Sequence, residues 1–361
     1  MLVRTIGWKE MAVLEGGTAP RVDPVGASRV AAAEMGLRLA FPGCRETLPS
    51  DTLRAPLDQQ ASRGVETKLD ITAQAAEPGV LVPSHRGMDS SRLLLSVGGH
   101  APSMMLKVIH PDQSIFFDAE TCFDAQRKAA ALGCAPDILA FDIARAAWVS
   151  EFLDDWATAR VSDLKRPELL NAVIEAKKKI HAGSRFKSSW SVFDRIRMLR
   201  AACASVAPNA PEDLPPLLNS VSRIERIIAS AGLDDVPAHA DGLASNILIG
   251  PNGRVQLVDF DEARNVDPYY EIALLANEVF ENEKDYLLAL EMFDGSARLA
   301  SFHRIRLYAI ADDLAWALWG IFMDATSPRK DVEFYRYACW RLIRCRIALQ
   351  GVDLDQYARS L

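Results

Sequence analysis

An aspartate, an asparagine five positions on and a second aspartate thirteen beyond that are the residues best spaced for chemistry: Asp241, Asn246 and Asp259. Phosphoryl transfer to a hydroxyl needs such a set. One carboxylate takes the hydroxyl proton, and two oxygen donors hold Mg²⁺, a hard cation that keeps water and shares phosphate oxygens. Asp241 is the candidate base. Asn246 and Asp259 are the candidate metal ligands, because Asn246–Ile249, a Gly250-Pro-Asn-Gly253 turn and Arg254–Val258 read as a short hairpin that brings its two ends side by side. His239 completes the spacing His-x-Asp-x-x-x-x-Asn and reads as a brace for the loop rather than as the base.

These residues need elements to place them and the phosphates. Arg92–Val97, a Gly98-Gly99 turn and Ser103–Ile109 read as a hairpin with Lys107 inside its second strand, where kinases keep the amine that meets the α- and β-phosphates and where an ordinary outward-facing lysine fits equally. The helix expected over Asp118–Leu132, closed by Gly133, offers Glu120 and Asp124 as acids to pair with that lysine, and the sequence does not choose between them. Strands at 138–142 and 146–153 would complete a sheet of about five. The exit at Glu151, Phe152 and Leu153 is the candidate link whose backbone meets an adenine ring. Beyond it a helix starts at Pro167 and ends near His181, which suits the last carbonyls as a structural residue. Another spans 217–228 and stops near Gly232.

The C-terminal third carries Tyr308, Trp316, Trp319, Phe322, Tyr335, Tyr337 and Trp340, with Asp312 and Asp313 among them. Aromatic faces beside carboxylates suit an ammonium head group. Trp316 and Trp319 also lie at i and i+3 with Asp312 at i−4, so the same stripe suits a helix core.

Composition narrows the partners. A formal net charge of −7 gives no overall basic field for nucleic acid or anionic membrane. Six scattered cysteines without a C-x-x-C pair point to reduced thiols and no zinc, hence a cytoplasmic protein. The opening residues are too broken by charge for a signal peptide, and Asp312-Asp313 interrupts the most apolar late segment, Tyr308–Met323. At 361 residues two lobes are expected. In 1–80, a helix over Ala27–Leu39 would bury Val30, Ala33, Met35 and Leu37, followed by a polar, irregular stretch to Pro78.

The run from His239 to about Cys345 resembles the aminoglycoside phosphotransferase and choline/ethanolamine kinase group, and Gly133–Leu139 with Trp148–Phe152 extends the likeness to most of 87–349. Asp259-Phe-Asp-Glu-Ala263, Asp267–Ala273 and Asp312–Gly320 are most similar to the bacterial choline kinases. The resemblance implies an α+β, two-lobed protein-kinase-like fold: an extension at 1–80, an antiparallel-sheet N-lobe at 81–154 and a mostly helical C-lobe at 155–361. It implies ATP and Mg²⁺ as cofactors, Asp241 as base, Asn246 and Asp259 as ligands with Asp261 assisting, and Lys107 on the phosphates. Choline or ethanolamine is the implied acceptor, an aminoglycoside or other small metabolite the alternative, and a degenerate binding module the non-enzyme alternative. The chain departs from the group at Ala240, at Gly242 and at Glu271, which stands where an aspartate braces the loop. No glycine-rich loop precedes Lys107, Gly87–Arg92 being the nearest substitute.

Overall fold

The computed structural model describes residues 33, 36, 71–76, 89–206 and 210–361. Within them the alternating apolar side chains of the first hairpin form the middle of a sheet. β1 (Ile71–Ala75), β2 (Ser90–Val97), β3 (Met104–Ile109), β4 (Ile138–Asp142) and β5 (Ala147–Glu151) pair antiparallel in the order β1-β2-β3-β5-β4. Gly98 and Gly99 both hold left-handed backbone, φ 62° and 74°, which the tight turn between β2 and β3 requires and other residues resist. Leu95, Met104, Leu106, Ala140, Ala147 and Val149 close over one face together with Ala33, a helical residue with no exposed surface. Val30, Met35 and Leu37 lie outside the described residues.

β1 corrects the reading of the stretch before Pro78 as irregular. Ile-Thr-Ala-Gln-Ala alternates, but only over five residues and with two alanines, which are poor strand formers, at its apolar positions; as an edge strand it buries little, and its pairing is set by β2.

The chain divides into two compact units. One comprises the sheet, with Asp89–Gln113 and Pro136–Asp154; the other holds Ser114–Ala135 and Asp155–Leu361. In the second unit α1 (Ala119–Ala131) starts on an Asp118 cap whose carboxylate accepts the Thr121 N–H at 3.2 Å, and packs on the turn Phe260–Glu262. There follow β6 (Ala157–Thr158), α2 (Val161–Leu164), α3 (Pro167–His181), α4 (Val192–Val206), α5 (Leu214–Ser230) and β7 (Val236–Ala238). Next come β8 (Ile247–Ile249), β9 (Val255–Leu257), β10 (Arg264–Val266), α6 (Pro268–Val279), α7 (Tyr286–Asp294), α8 (Leu299–Thr326), α9 (Phe334–Gln350) and α10 (Leu354–Ser360).

α8 is the axis of this unit. It is apolar on nearly every side because α9, α4 and α6 all pack on it. Asp312 and Asp313 are buried inside that packing, and among the described residues no helix is long and apolar enough to cross a membrane.

Candidate active site

β8 and β9 pair through the Gly250–Gly253 turn, Ile247 opposite Leu257. The Val258 N–H then donates to the Asn246 carbonyl at 2.9 Å, so the ladder's last bond ties the two ends of the hairpin together. Asp241 joins that end: its Oδ2 accepts from Asn246 Nδ2 at 2.9 Å and its Oδ1 from the Leu243 N–H at 2.7 Å. With the Asn246 amide nitrogen turned to Asp241, its oxygen is the atom of the type Mg²⁺ takes. Carboxylate oxygens of Asp259 and Asp261 lie within 4.8 Å of each other. Asparagine oxygen plus two carboxylates is an all-oxygen donor set that fits a hard cation. Asp259 itself holds left-handed backbone (φ 69°), at a cost of about 1–2 kcal/mol that a purely structural turn would avoid with glycine. Burial pushes the Asp241 carboxyl up to about 7, with Asp259 repulsion adding to it and the Leu243 N–H, Lys177 and Asn246 opposing it. That value suits a general base working near neutral pH.

The loop is held from beneath by a cluster of buried charge. Lys177, on α3 and without exposed surface, donates to the Asp241 carbonyl at 2.9 Å and to Glu271 Oε1 at 2.9 Å. Glu271 Oε1 also accepts the Ala240 N–H at 3.0 Å, and its Oε2 meets His181 Nε2. Ala240 is left-handed (φ 56°), so Glu271 and Lys177 between them grip both sides of a strained peptide next to the candidate base. Despite its burial, the Glu271 carboxyl is held well below its ordinary range by Lys177 and His181. His181 is structural, as the sequence suggests, but its partner is this carboxylate. Gly242 has its own reason: a Cβ there would lie 2.3 Å from the Leu274 backbone of α6, so no side chain fits.

His239 is 1% exposed; its Nε2 faces the Val258 carbonyl at 2.9 Å, and its ring packs edge-on against Phe260 at 4.7 Å. Burial, helped by the Lys177 charge, lowers its imidazolium to about 4, against about 6.5 in an unfolded chain. The unfolded chain therefore takes up the proton first. The stabilisation from a neutral His239 is complete above pH ~6.5 and is lost as pH falls toward 4, by on the order of 3 kcal/mol. Urea midpoints across that window are expected to fall more steeply for wild type than for His239→Gln, which keeps a polar side chain and removes the titration.

The acid and aromatic residues of α8 are already engaged. Asp312 accepts from the Tyr270 hydroxyl at 2.9 Å and lies 3.5 Å from Arg341; Asp313 meets Arg341 at 2.7 Å and Arg344 at 3.2 Å. Burial pushes Asp312 up to about 6, with Arg341 pulling it back. Trp319 is 2% exposed and boxed edge-on by Trp316, Phe334 and Tyr337. Trp316 is half-buried, and the Arg195 guanidinium lies 4.1 Å from its ring centroid. Trp319 thus belongs to the core, whereas Trp316 carries a protein cation on its face.

In the sheet unit Lys107 is 3% exposed, sits opposite Trp148 on β5 with its ammonium 5.1 Å from that ring, and pairs with Asp89 at 3.5 Å. Asp89 comes from the segment read as the nearest substitute for a glycine-rich loop; Gly87 lies outside the described residues. The N–H groups of Glu151 and Phe152 donate to the Asp137 and Ser103 carbonyls at 2.9 and 3.0 Å. In the helical unit Glu120 is exposed and meets Lys187 at 3.3 Å, while buried Asp124 pairs with Lys128 at 2.8 Å.

Two residues of this arrangement escape a reading of the sequence. Lys177 falls on the face of α3 that buries Leu170, Val173 and Ile174, and a lysine at the next buried position is the signal that could have found it. Arg195 meets Trp316 across 121 positions of sequence, with no local sign.

Residues 135–308 match the phosphotransferase enzyme family. Among solved structures, a choline/ethanolamine kinase family protein from Mesorhizobium loti is similar with a TM-score of 0.64 at 22% identity, over 74% of this chain and 88% of that one. Choline kinase LicA from Streptococcus pneumoniae matches with a TM-score of 0.64 at 19% identity, over 72% and 90%. An aminoglycoside 2′-phosphotransferase-IIIa, solved as its GDP complex, matches with a TM-score of 0.56 at 14% identity, over 78% and 93%. No curated protein matches the sequence. The fold is therefore the two-lobed, protein-kinase-like α+β fold that the sequence implies.

Proposed function

With residues 135–308 assigned to the phosphotransferase enzyme family, we propose that the protein transfers the γ-phosphate of ATP to the hydroxyl of a small molecule. The observation that carries this reading is the contact of Asp241 with Asn246 at one end of a hairpin whose other end is Asp259. Asp241 orients the acceptor hydroxyl and takes its proton as the oxygen forms its bond to the γ-phosphorus and the bond to the leaving ADP oxygen breaks. Lys177 and Glu271 hold the backbone of that base in place. Mg²⁺, when bound to Asn246 and Asp259 with Asp261 beside them, supplies neutralisation of the phosphate charge. Lys107 gives a buried ammonium to the α- and β-phosphates, and the residues at 151–153 give backbone groups to the adenine.

For the acceptor, an amino alcohol such as choline or ethanolamine is suggested by the names of two of the similar structures. An aminoglycoside is the other acceptor to include in a panel. Thermal unfolding with MgATP tests the nucleotide half of the reading. At 100 times its dissociation constant a ligand adds about 2.7 kcal/mol, so the midpoint is expected to rise by several degrees, and to rise less with ATP and a chelator. A catalytically degenerate fold that binds no nucleotide gives no shift.

A further inference from the structure

Asp259 and Asp261 flank Phe260, so the single turn Phe260–Glu262 decides where the two candidate metal carboxylates stand. Its local sequence works against it. Asp259 is left-handed, and Asp259, Asp261 and Glu262 put three mutually repelling acids within four positions. Phe260 is buried against His239, and Arg264 Nη1 donates to the Ala263 and Asp261 carbonyls at 2.9 and 3.4 Å. The remaining acid is held by a residue 67 positions away: Glu262 Oε2 accepts from Arg195 Nη1 at 2.6 Å.

Arg195 is itself fixed from two other parts of the fold. It stands in the first turn of α4 and is 4% exposed, with its guanidinium 4.1 Å from the centroid of the Trp316 ring on α8 and 5.7 Å from that of Trp190. A buried guanidinium seated on an aromatic face loses most of its freedom, and a planar donor fork so fixed leaves its carboxylate partner little choice of position. The contacts run from Trp316 to Arg195 to Glu262 and so to the turn that bears Asp261. This gives Trp316 a task other than holding an ammonium ligand, since the protein's own cation covers its ring.

We propose that Arg195, seated on Trp316, is a positioning residue that sets Asp259 and Asp261 for a divalent cation by anchoring Glu262. The assignment rests on the phosphotransferase reading and deepens it, extending the support of the metal site to α4 and α8. Partners that orient metal-binding carboxylates typically contribute 10–100-fold to metal affinity. Charge has to be separated from position in testing this, because removing Arg195 alone makes the local field more negative and removing Glu262 alone makes it less so. Arg195→Met combined with Glu262→Gln leaves the net charge unchanged, and so does Trp316→Leu.

Electron paramagnetic resonance of Mn²⁺, an oxygen-seeking stand-in for Mg²⁺, measures the ion held by the full chain with ADP, after subtraction of what ADP alone holds. The double variant is expected to bind Mn²⁺ about 10-fold more weakly than wild type, and Trp316→Leu about 3-fold more weakly, through the lost seat of the guanidinium. The thermal shift with ATP and a chelator is expected to be that of wild type in both. A pair that served only stability would lower the melting temperature and leave Mn²⁺ affinity where it was. Affinity within 2-fold of wild type in the double variant, or equal to wild type in Trp316→Leu, overturns the inference; Trp316→Leu carries the test if the double variant does not fold. Failure of the phosphotransferase reading is seen separately, as a wild-type chain that takes up no Mn²⁺ beyond that held by ADP.

Discussion

Asp241→Ala is expected to lower kcat roughly 1,000-fold, the typical contribution of a positioned general base, while the rise in melting temperature with MgATP is retained. Among the described residues the carboxylate accepts only from the Leu243 N–H and the Asn246 amide, so its removal spares the buried cluster beneath the loop. The Asp241 carbonyl, which Lys177 holds, is backbone and survives the substitution. Steady-state rates of ADP release with a saturating acceptor, set beside the thermal shift, separate the two effects. Wild-type turnover in Asp241→Ala removes Asp241 from the mechanism.

Lys177→Met is expected to destabilise the protein by about 3–5 kcal/mol, because it leaves the Glu271 carboxylate buried beside a lost cation. An exposed ion pair would cost at most about 1 kcal/mol, and neither side chain of this pair has any exposed surface. Lys177→Met combined with Glu271→Gln removes both charges and is expected to recover more than half of the loss, measured by urea denaturation. Recovered stability without recovered activity is the further expectation, since methionine at 177 cannot donate to the Asp241 carbonyl. A loss below about 1 kcal/mol in the single variant contradicts the bracing role.

How much of this was legible in the sequence depends on the range of the interaction. The contact between Asp241 and Asn246 and the closure of β8 on β9 are local: five positions, then a glycine turn, decide them. The same holds for the Asp118 cap and for left-handed Gly133 after α1. β1 was hidden because its short Ile-Thr-Ala-Gln-Ala alternation rests on two alanines, which are weak strand formers, at an exposed edge. Lys177 was hidden for the opposite reason, a buried position filled by a charge, whose partner Glu271 lies 94 positions away. Trp316 shows the limit most clearly. Its type and spacing suit an ammonium ligand, and only the fold reveals that Arg195 lies over its ring. Gly242, a departure from the family pattern in the sequence, is a packing requirement of α6 in the structure.

The central claim is transfer of phosphate from ATP to a small-molecule hydroxyl, and phosphorus NMR of one reaction mixture tests it most directly. The purified chain with MgATP is incubated with a panel of choline, ethanolamine, L-serine, L-threonine, glycerol 3-phosphate and an aminoglycoside. The predicted result is loss of the γ-phosphate resonance with growth, in step with ADP, of a phosphomonoester signal for at least one acceptor. A γ-phosphate signal that persists unchanged with every acceptor, or that converts only to inorganic phosphate, contradicts it.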